Sequence, residues 1–157
     1  MSVTNTDIFF ALNVVKSRRK HRKGSAKMIK EKRGGYYESE YSGGLLVVQI
    51  KGEIDHHSAV EMRGGIDGEI LDKRPLKLIL DLSAVDFMDS SGLGLILGRY
   101  SAVKEVGGEL VVLNPNAGVM KILKLAGAER IIRIENVDVE AERQNQNKNT
   151  LKGRKIK

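Results

Sequence analysis

The sequence predicts an α/β domain in which helices pack on a sheet. Two observations lead to this prediction. Short apolar or β-branched segments alternate with segments whose apolar residues recur at helical spacing. In addition, LKLILDL at residues 76–82 is almost continuously apolar, which is typical of a parallel strand covered on both faces. The length of 157 residues suits one such domain better than two.

The first half of the domain is expected to contain two strands and a helix before that apolar strand. Residues 36–41 and 45–51 alternate or carry β-branched side chains around the glycine pair at 43–44, which predicts strands joined by a turn. Residues 56–71 have helical spacing, although each of their three glycines disfavours a helix by ~1 kcal/mol relative to Ala. The residues expected on its buried face are Val60, Ile66 and Ile70.

The second half begins with the clearest helix, at residues 88–106. Its apolar residues recur every three or four positions, and Gly107-Gly108 is expected to end it. A strand at 110–113, a helix at 116–125 and a last short strand at 131–134 follow. This alternation of strands and helices completes the predicted α/β layer.

The charge divides the chain into three parts. Residues 1–33 hold ten Lys and Arg against two acidic residues, and the last eighteen residues hold six against two. The central part is therefore mildly acidic, although the whole chain carries a formal charge of +7. Blocks of like charge with few apolar residues tend to stay disordered. We therefore expect a flexible basic extension over 1–34, the domain over 35–139 and a flexible, polar basic tail over 140–157.

The apolar run IFFALNVV, at residues 8–15, precedes the basic stretch, whereas a secretory signal carries its charges first. We expect this run to be a frayed arm; a short helix on a membrane surface is an alternative. Met28 is an alternative start of the chain.

Composition excludes several classes of function. The chain has no Cys, which rules out disulfides, thiolate metal sites and a Cys nucleophile and agrees with a cytoplasmic location. An aromatic fraction of 4% and basic residues confined to the ends argue against a DNA-binding face, although basic arms that touch a polyanion weakly remain an alternative. No apolar run reaches the ~20 residues of a membrane span.

The segment FMDSSGLG lies where the apolar strand leads into the clearest helix. Asp89 is a good N-cap, which places Ser90 and Ser91 in the first turn, where free N–H groups favour an anion such as a phosphate. The plain alternative is that D-S-S-G only begins a helix. The pattern is not G-x-S-x-G and no His is evidently paired with these serines, so a hydrolase triad is unsupported.

A helical projection predicts that this helix has a smooth outer face. If Leu93, Ile96 and Tyr100 face the sheet, mostly small residues face outward, where charged side chains would be usual. The predicted outward residues are Ser91, Gly94, Leu95, Gly98, Ala102 and Glu105. Such a face suits protein docking, with Gly94, Leu95 and Gly98 as partner-binding residues, unless loops or arms cover it.

A second cluster, GEIDHHS, precedes the first predicted helix. Asp55 or Ser58 is expected to cap that helix. The adjacent His56 and His57 point in different directions on a helix, so they do not predict a shared metal. We expect no metal, no cofactor and no catalytic residues.

Three segments together resemble a known family. KGEIDHHSA at 51–59, FMDSSGLGLILGRY at 87–100 and GGELVVLN at 107–114 resemble the STAS-domain anti-sigma factor antagonists of spore-forming bacteria, most closely the sigma-F branch. The similarity covers about residues 36–137. It implies the STAS fold, a mixed sheet of four or five strands with helices packed on it.

The resemblance also implies a phosphorylation switch. The first serine of D-S-S-G, Ser90, would be phosphorylated by an anti-sigma factor that is also a serine kinase. The unphosphorylated form would bind that kinase and free the sigma factor, and a phosphoserine phosphatase would reset it. Asp55 would contribute to the partner contact, while Asp89, Ser91 and Gly92 would support the helix start.

This reading makes the chain a substrate rather than an enzyme, acting in sporulation or in general stress. The alternative is a STAS-like domain that binds a nucleotide or other small molecule, although no phosphate-binding glycine loop is present.

Overall fold

The computed structural model of the protein describes residues 4–11, 13, 34–138, 141, 144–145, 147–148 and 151–152. In the described part of the chain, helix α1 includes residues 5–11 and residue 13. The remaining elements are β1 (Tyr36–Ser42), β2 (Leu45–Ile54), α2 (His56–Lys73), β3 (Lys77–Met88), α3 (Ser90–Glu105), β4 (Glu109–Leu113), α4 (Ala117–Leu125), a 3₁₀ turn (Ala128–Arg130) and β5 (Arg133–Glu135).

The five strands form one mixed sheet in the order β1-β2-β3-β4-β5. β1 is antiparallel to β2, and the other neighbours are parallel. Gly43 and Gly44, both with positive φ, make the tight turn between β1 and β2. The predicted α/β fold with a four- to five-stranded mixed sheet is thus confirmed.

β3 is longer than the sequence predicts. It was expected to end at Leu82 but pairs with β2 as far as Met88, opposite Ile54. The apolar pattern stops early because Ser83 and Asp86 in this extension are exposed, although their backbone remains in the strand. Asp86 and Phe87, expected between the strand and the helix, and Met88, expected to begin the helix, therefore form the end of a strand. Asp89 is then the single residue between β3 and α3.

Helices α2, α3 and α4 pack on one face of the sheet and enclose the main core. In α2 the buried apolar residues are Ala59, Met62, Ile66 and Ile70. Val60, predicted to be buried, is 52% exposed, because the face that meets the sheet is centred on Met62 and Ile66. The helix continues to Lys73 despite its glycines, since packing outweighs their low propensity.

The other face of the sheet forms a second, smaller core with α1. Ile8 and Ala11 are buried against aliphatic side chains of the parallel strands. A flexible arm was expected over 1–34, but residues 5–11 form a helix that packs on the sheet. The reason is that their apolar side chains cover an apolar face that would otherwise meet water. The basic stretch over 14–33 lies outside the described residues. In the predicted tail over 140–157, the described residues are helical and exposed.

Candidate functional site

The candidate site lies at the carboxyl ends of β2 and β3, where α2 and α3 begin. Ile54 and Met88 are paired across the two strands, so the next residues, Asp55 and Asp89, occupy equivalent positions at the starts of the two helices. The Asp89 N–H donates to the Ile54 carbonyl oxygen at 3.2 Å. This bond fastens the start of α3 to the end of β2. The carboxyl edge of parallel strands is where α/β proteins commonly place their sites.

Asp89 is the N-cap of α3. Its Oδ1 accepts a hydrogen bond of 2.7 Å from the Ser91 N–H, which satisfies one of the free donors of the first turn. Ser90 is the first helical residue and is exposed, whereas Ser91 is half-buried. Within the described part of the chain, the Ser90 hydroxyl makes no hydrogen bond. Because Asp89 performs the capping, the Ser90 hydroxyl is available to another molecule.

Gly92 allows the first turn of α3 to sit close to the strand end. A Cβ atom at this position would overlap the Cγ of Met88 and would lie 3.1 Å from Cγ2 of Ile54. The Gly92 N–H also donates to the Asp89 carbonyl oxygen at 3.1 Å. The glycine of the D-S-S-G sequence is therefore required by packing, and it sets the position of the two serines.

The start of α2 is closed by a reciprocal cap. Oδ1 of Asp55 accepts from the Ser58 N–H at 2.9 Å, and the Asp55 N–H donates to the Ser58 Oγ at 3.0 Å. The hydrogen bond from the Ser58 backbone lowers the pKa of the Asp55 carboxyl. Asp55 therefore stays ionised at neutral pH. Both helices of the site thus have an aspartate as their N-cap, Asp55 for α2 and Asp89 for α3.

The buried face of α3 differs from the predicted one at Leu95. Leu95 was predicted to face outward and to bind a partner, but it is fully buried. The buried residues of α3 are Gly92, Leu95, Ile96, Arg99 and Val103. The helix packs against α2 as well as the sheet, and Arg99 Nε lies 2.9 Å from Asp67 Oδ1 of α2. This second contact turns the buried face toward α2 and removes Leu95 from the surface.

One side of α3 carries what we call the outer stripe: Ser90, Gly94, Leu97 and Ser101, of which Leu97 also packs against the main core. They recur at intervals of four, three and four residues and therefore share one side of the helix. Ser90, Gly94 and Ser101 are exposed, and Leu97 is half-buried. Among the described residues, a Cβ added at Gly94 or at the flanking Gly98 would meet no atom within 4 Å. The surface beside Ser90 is thus smooth and open, as the sequence predicts for Gly94 and Gly98.

Sequence reasoning missed Phe87. This aromatic side chain is 55% exposed at the end of β3, three residues before Ser90. An exposed aromatic residue is typical of a protein-binding surface. Its exposure could have been inferred if the strand had been extended to Met88. Successive side chains of a strand point to opposite faces, so a buried Met88 places Phe87 on the other face.

The two histidines of the second cluster do not converge. His56 and His57 are both exposed, and His57 Nε2 lies 3.4 Å from Glu61 Oε1. No group of three or more potential metal-ligating residues occurs in the described ranges. None of the described helices combines the length and apolar character needed to cross a membrane.

Comparison with known proteins shows what this arrangement is similar to. Residues 36–141 match the model of the STAS domain. A curated relative from Paenibacillus polymyxa, named anti-sigma F factor antagonist, is 38% identical over 104 residues, or 66% of this chain and 89% of the relative. The STAS match spans the sheet, α2 to α4 and the candidate site, and it leaves α1 outside.

Two solved structures of SpoIIAA are similar in fold. The anti-sigma factor antagonist SpoIIAA in its unphosphorylated form shares 27% identity, with a TM-score of 0.59 over 71% of this chain and 96% of that chain. The Bacillus cell fate determinant SpoIIAA in its phosphorylated form also shares 27% identity, with a TM-score of 0.56 over 70% of this chain and 98% of that chain. The same fold is thus known in both phosphorylation states.

Proposed function

The chain belongs to the STAS domain family, and from this premise we propose that it is an anti-sigma factor antagonist whose binding is switched off by phosphorylation of Ser90. Curated relatives at 38% and 35% identity carry the name anti-sigma F factor antagonist. The observation that carries the proposal is the exposed Ser90, which begins α3, takes no part in capping and lies on the smooth outer stripe.

The unphosphorylated chain binds its partner through the outer stripe. Small residues at Gly94 and Ser101 let a partner backbone approach α3 closely, while the half-buried Leu97 provides apolar area beside them. The partner is an anti-sigma factor that also acts as a serine kinase. Binding of this partner releases the sigma factor.

Phosphorylation changes the charge at the edge of this surface. A phosphoserine carries about −1.5 to −2 charges, and the first turn of a helix tolerates an anion through its free N–H groups. The fold therefore accepts the modification, while the docked complex must desolvate the phosphate and exclude its bulk. The N-cap carboxylates Asp55 and Asp89 add negative charge to the same edge. A loss of ~3–4 kcal/mol would weaken binding several-hundred-fold without any refolding.

A phosphoserine phosphatase returns the chain to its binding form, and the chain itself is a substrate rather than an enzyme. We assign it to the cytoplasm, in keeping with its lack of Cys. Relatives named for sigma-F and for sigma-B both match. The sigma-F relatives are 38% and 35% identical and the sigma-B relatives 30% and 34%, which favours the sigma-F pathway and with it a role in sporulation.

The proposal is tested by incubating the purified chain with the cognate kinase and ATP, followed by intact mass and site mapping. We expect one phosphoryl group, located on Ser90. Ser91→Ala should still be modified, and Ser90→Ala should not. A phosphoryl group on Ser91 or elsewhere, or none at all, would contradict the assignment.

A further inference from the structure

The last residues of β3 extend beyond its pairing with β4. The register between β3 and β4 ends at Asp81 and Leu113, whereas β2 pairs with β3 as far as Met88. In this extension the Val85 carbonyl oxygen accepts a hydrogen bond of 2.9 Å from Nδ2 of Asn116, the third residue after β4. A side-chain amide therefore supports the end of β3 where the pairing with β4 has stopped.

Asn116 is also the N-cap of α4, so the two polar atoms of its side chain serve different elements. Oδ1 accepts from the Val119 N–H at 2.9 Å, which satisfies a free donor of the first turn. Nδ2 donates to Val85 and lies 3.5 Å from the Asp86 carbonyl oxygen. Asp and Ser cap helices about as well as Asn, so capping alone does not require an amide. What the amide adds is the donor that links α4 to β3.

The loop before α4 fixes the position of Asn116. Asn114 has a φ of +51°, a left-handed conformation that Asn adopts more readily than most residues. Its N–H donates to the Glu135 carbonyl oxygen at 2.9 Å, and its Oδ1 accepts from the Val137 N–H at 2.7 Å. Pro115 is buried and has a fixed φ. The backbone thus holds the Asn116 side chain beside β3.

The supported strand end leads directly into the candidate site. Val85 lies five positions before Ser90, and the Asp89 N–H between them donates to the Ile54 carbonyl oxygen of β2 at 3.2 Å. We infer that Asn116 is a positioning residue: through the Val85 carbonyl it fixes the end of β3, and with it the first turn of α3 that presents Ser90 to the kinase. This inference rests on the proposed function. A displacement of ~1 Å at a reacting group can lower a rate ~100-fold.

Three single variants separate the amide donor from the cap and from charge. Asn116→Asp keeps an acceptor for the Val119 N–H but replaces the donor to Val85 by an oxygen. Asn116→Ser is uncharged and can still cap α4, but its side chain is one atom shorter. Asn114→Asp is the matched control, because it adds the same charge to the same loop and keeps an acceptor for the Val137 N–H.

Two measurements follow the start of α3 and the reaction at Ser90. Hydrogen exchange of the Asp89 and Ser91 N–H groups, measured by NMR, reports local opening, and single-turnover phosphorylation with the cognate kinase in excess separates binding from the reaction. We expect both Asn116 variants to exchange at least threefold faster and to lose at least threefold in maximal rate. Their half-saturating kinase concentration should stay within twofold of wild type. Asn114→Asp should match wild type in every respect.

The comparison is made well below the unfolding transition, with circular dichroism as the check that each variant is folded. A loss of global stability alone would then leave the maximal rate unchanged. If one Asn116 variant does not fold, the other decides.

Unchanged maximal rates in the folded Asn116 variants, with wild type phosphorylated on Ser90, would overturn the role of Asn116 and leave the proposed function standing. Unchanged exchange of the two N–H groups would also overturn that role, and so would an equal loss of rate in Asn114→Asp. A wild-type chain that is not phosphorylated on Ser90 would instead overturn the proposed function, and the role of Asn116 with it.

Discussion

The Arg99 guanidinium is buried between α3 and α2, with its Nε atom 2.9 Å from Oδ1 of Asp67. The N–H is not aligned with that oxygen, and Nε and Nη1 make no hydrogen bond within the described part of the chain. Burial lowers the pKa of Arg99, while the charge of Asp67 opposes this effect. The contact between α3 and α2 therefore depends on the attraction between two charges. It also determines which side of α3 faces outward.

Removal of Asp67 should destabilise the domain. Asp67→Ala leaves the buried guanidinium without its counter-charge, and we expect a loss of about 1–3 kcal/mol in the free energy of unfolding. This is less than for a fully buried pair because Asp67 is 34% exposed. Urea denaturation measures the change. Asp72→Ala, an exposed aspartate on the same helix, is the control and should stay within about 0.5 kcal/mol of wild type.

Substitution by Ala should change the free energy of unfolding in opposite directions at Gly92 and at Gly94, the two glycines that follow Ser90 in α3. Gly92→Ala forces a methyl group into Met88, and we expect a loss of about 1–3 kcal/mol in unfolding free energy. Gly94→Ala enters open space in the helix and should stabilise by up to about 1 kcal/mol. Thermal or urea unfolding compares them directly. Equal effects at the two positions would contradict the packing described for the start of α3.

The outer stripe should be the partner surface. Gly94→Arg adds a long charged side chain beside Ser90, and we expect at least a tenfold loss of affinity for the anti-sigma factor, equivalent to ~1.4 kcal/mol. Gly68→Arg is the matched control, since Gly68 is exposed with open space around it on α2. Isothermal titration with unphosphorylated protein measures both. A similar loss in the two variants would show that the partner does not dock specifically on α3.

Docking of α1 should weaken in acid. Oδ2 of Asp7 accepts a hydrogen bond of 2.6 Å from Lys77 Nζ at the start of β3, which lowers the pKa of Asp7. The lowered pKa of Asp7 means that the stabilisation by Lys77 is fully present above the ordinary value of about 3.9 and is lost as pH falls through the lowered value. We expect Asp7→Asn to lose about 0.2–1 kcal/mol at neutral pH and to show less acid dependence. A parallel pH profile of the two proteins would contradict this.

Much of the fold could be predicted because its signals are local. The apolar run at 76–82 identified a parallel strand covered on both faces, and the periodicity of α3 identified the helix that Ser90 begins. The end of β3 at Met88 could not be predicted, because the polar Ser83 and Asp86 interrupt the apolar pattern. The strand continues there through backbone pairing with β2. The docking of α1 depends on contacts with residues 34 or more positions away, which periodicity does not reveal.

The helix starts of the candidate site could also be predicted. Asp89 and Asp55 are N-caps because short carboxylates satisfy free N–H groups next to them in sequence, which is a local effect. The error at Leu95 has a different origin. A helical projection gives the angles between residues, but the direction of the core follows from the neighbours, and the Arg99–Asp67 contact with α2 was not visible in the sequence.

The affinity of the anti-sigma factor for two forms of this chain, with serine or phosphoserine at position 90, is the most direct test of the switch. Genetic incorporation of phosphoserine provides the modified form without the kinase. Ser90→Ala serves as a form that cannot be phosphorylated, and Ser90→Asp as one with a smaller negative charge. We predict that the serine form and Ser90→Ala bind tightly, Ser90→Asp binds more weakly, and the phosphoserine form binds several-hundred-fold more weakly. Equal affinities of the serine and phosphoserine forms, with both folded, would contradict the account.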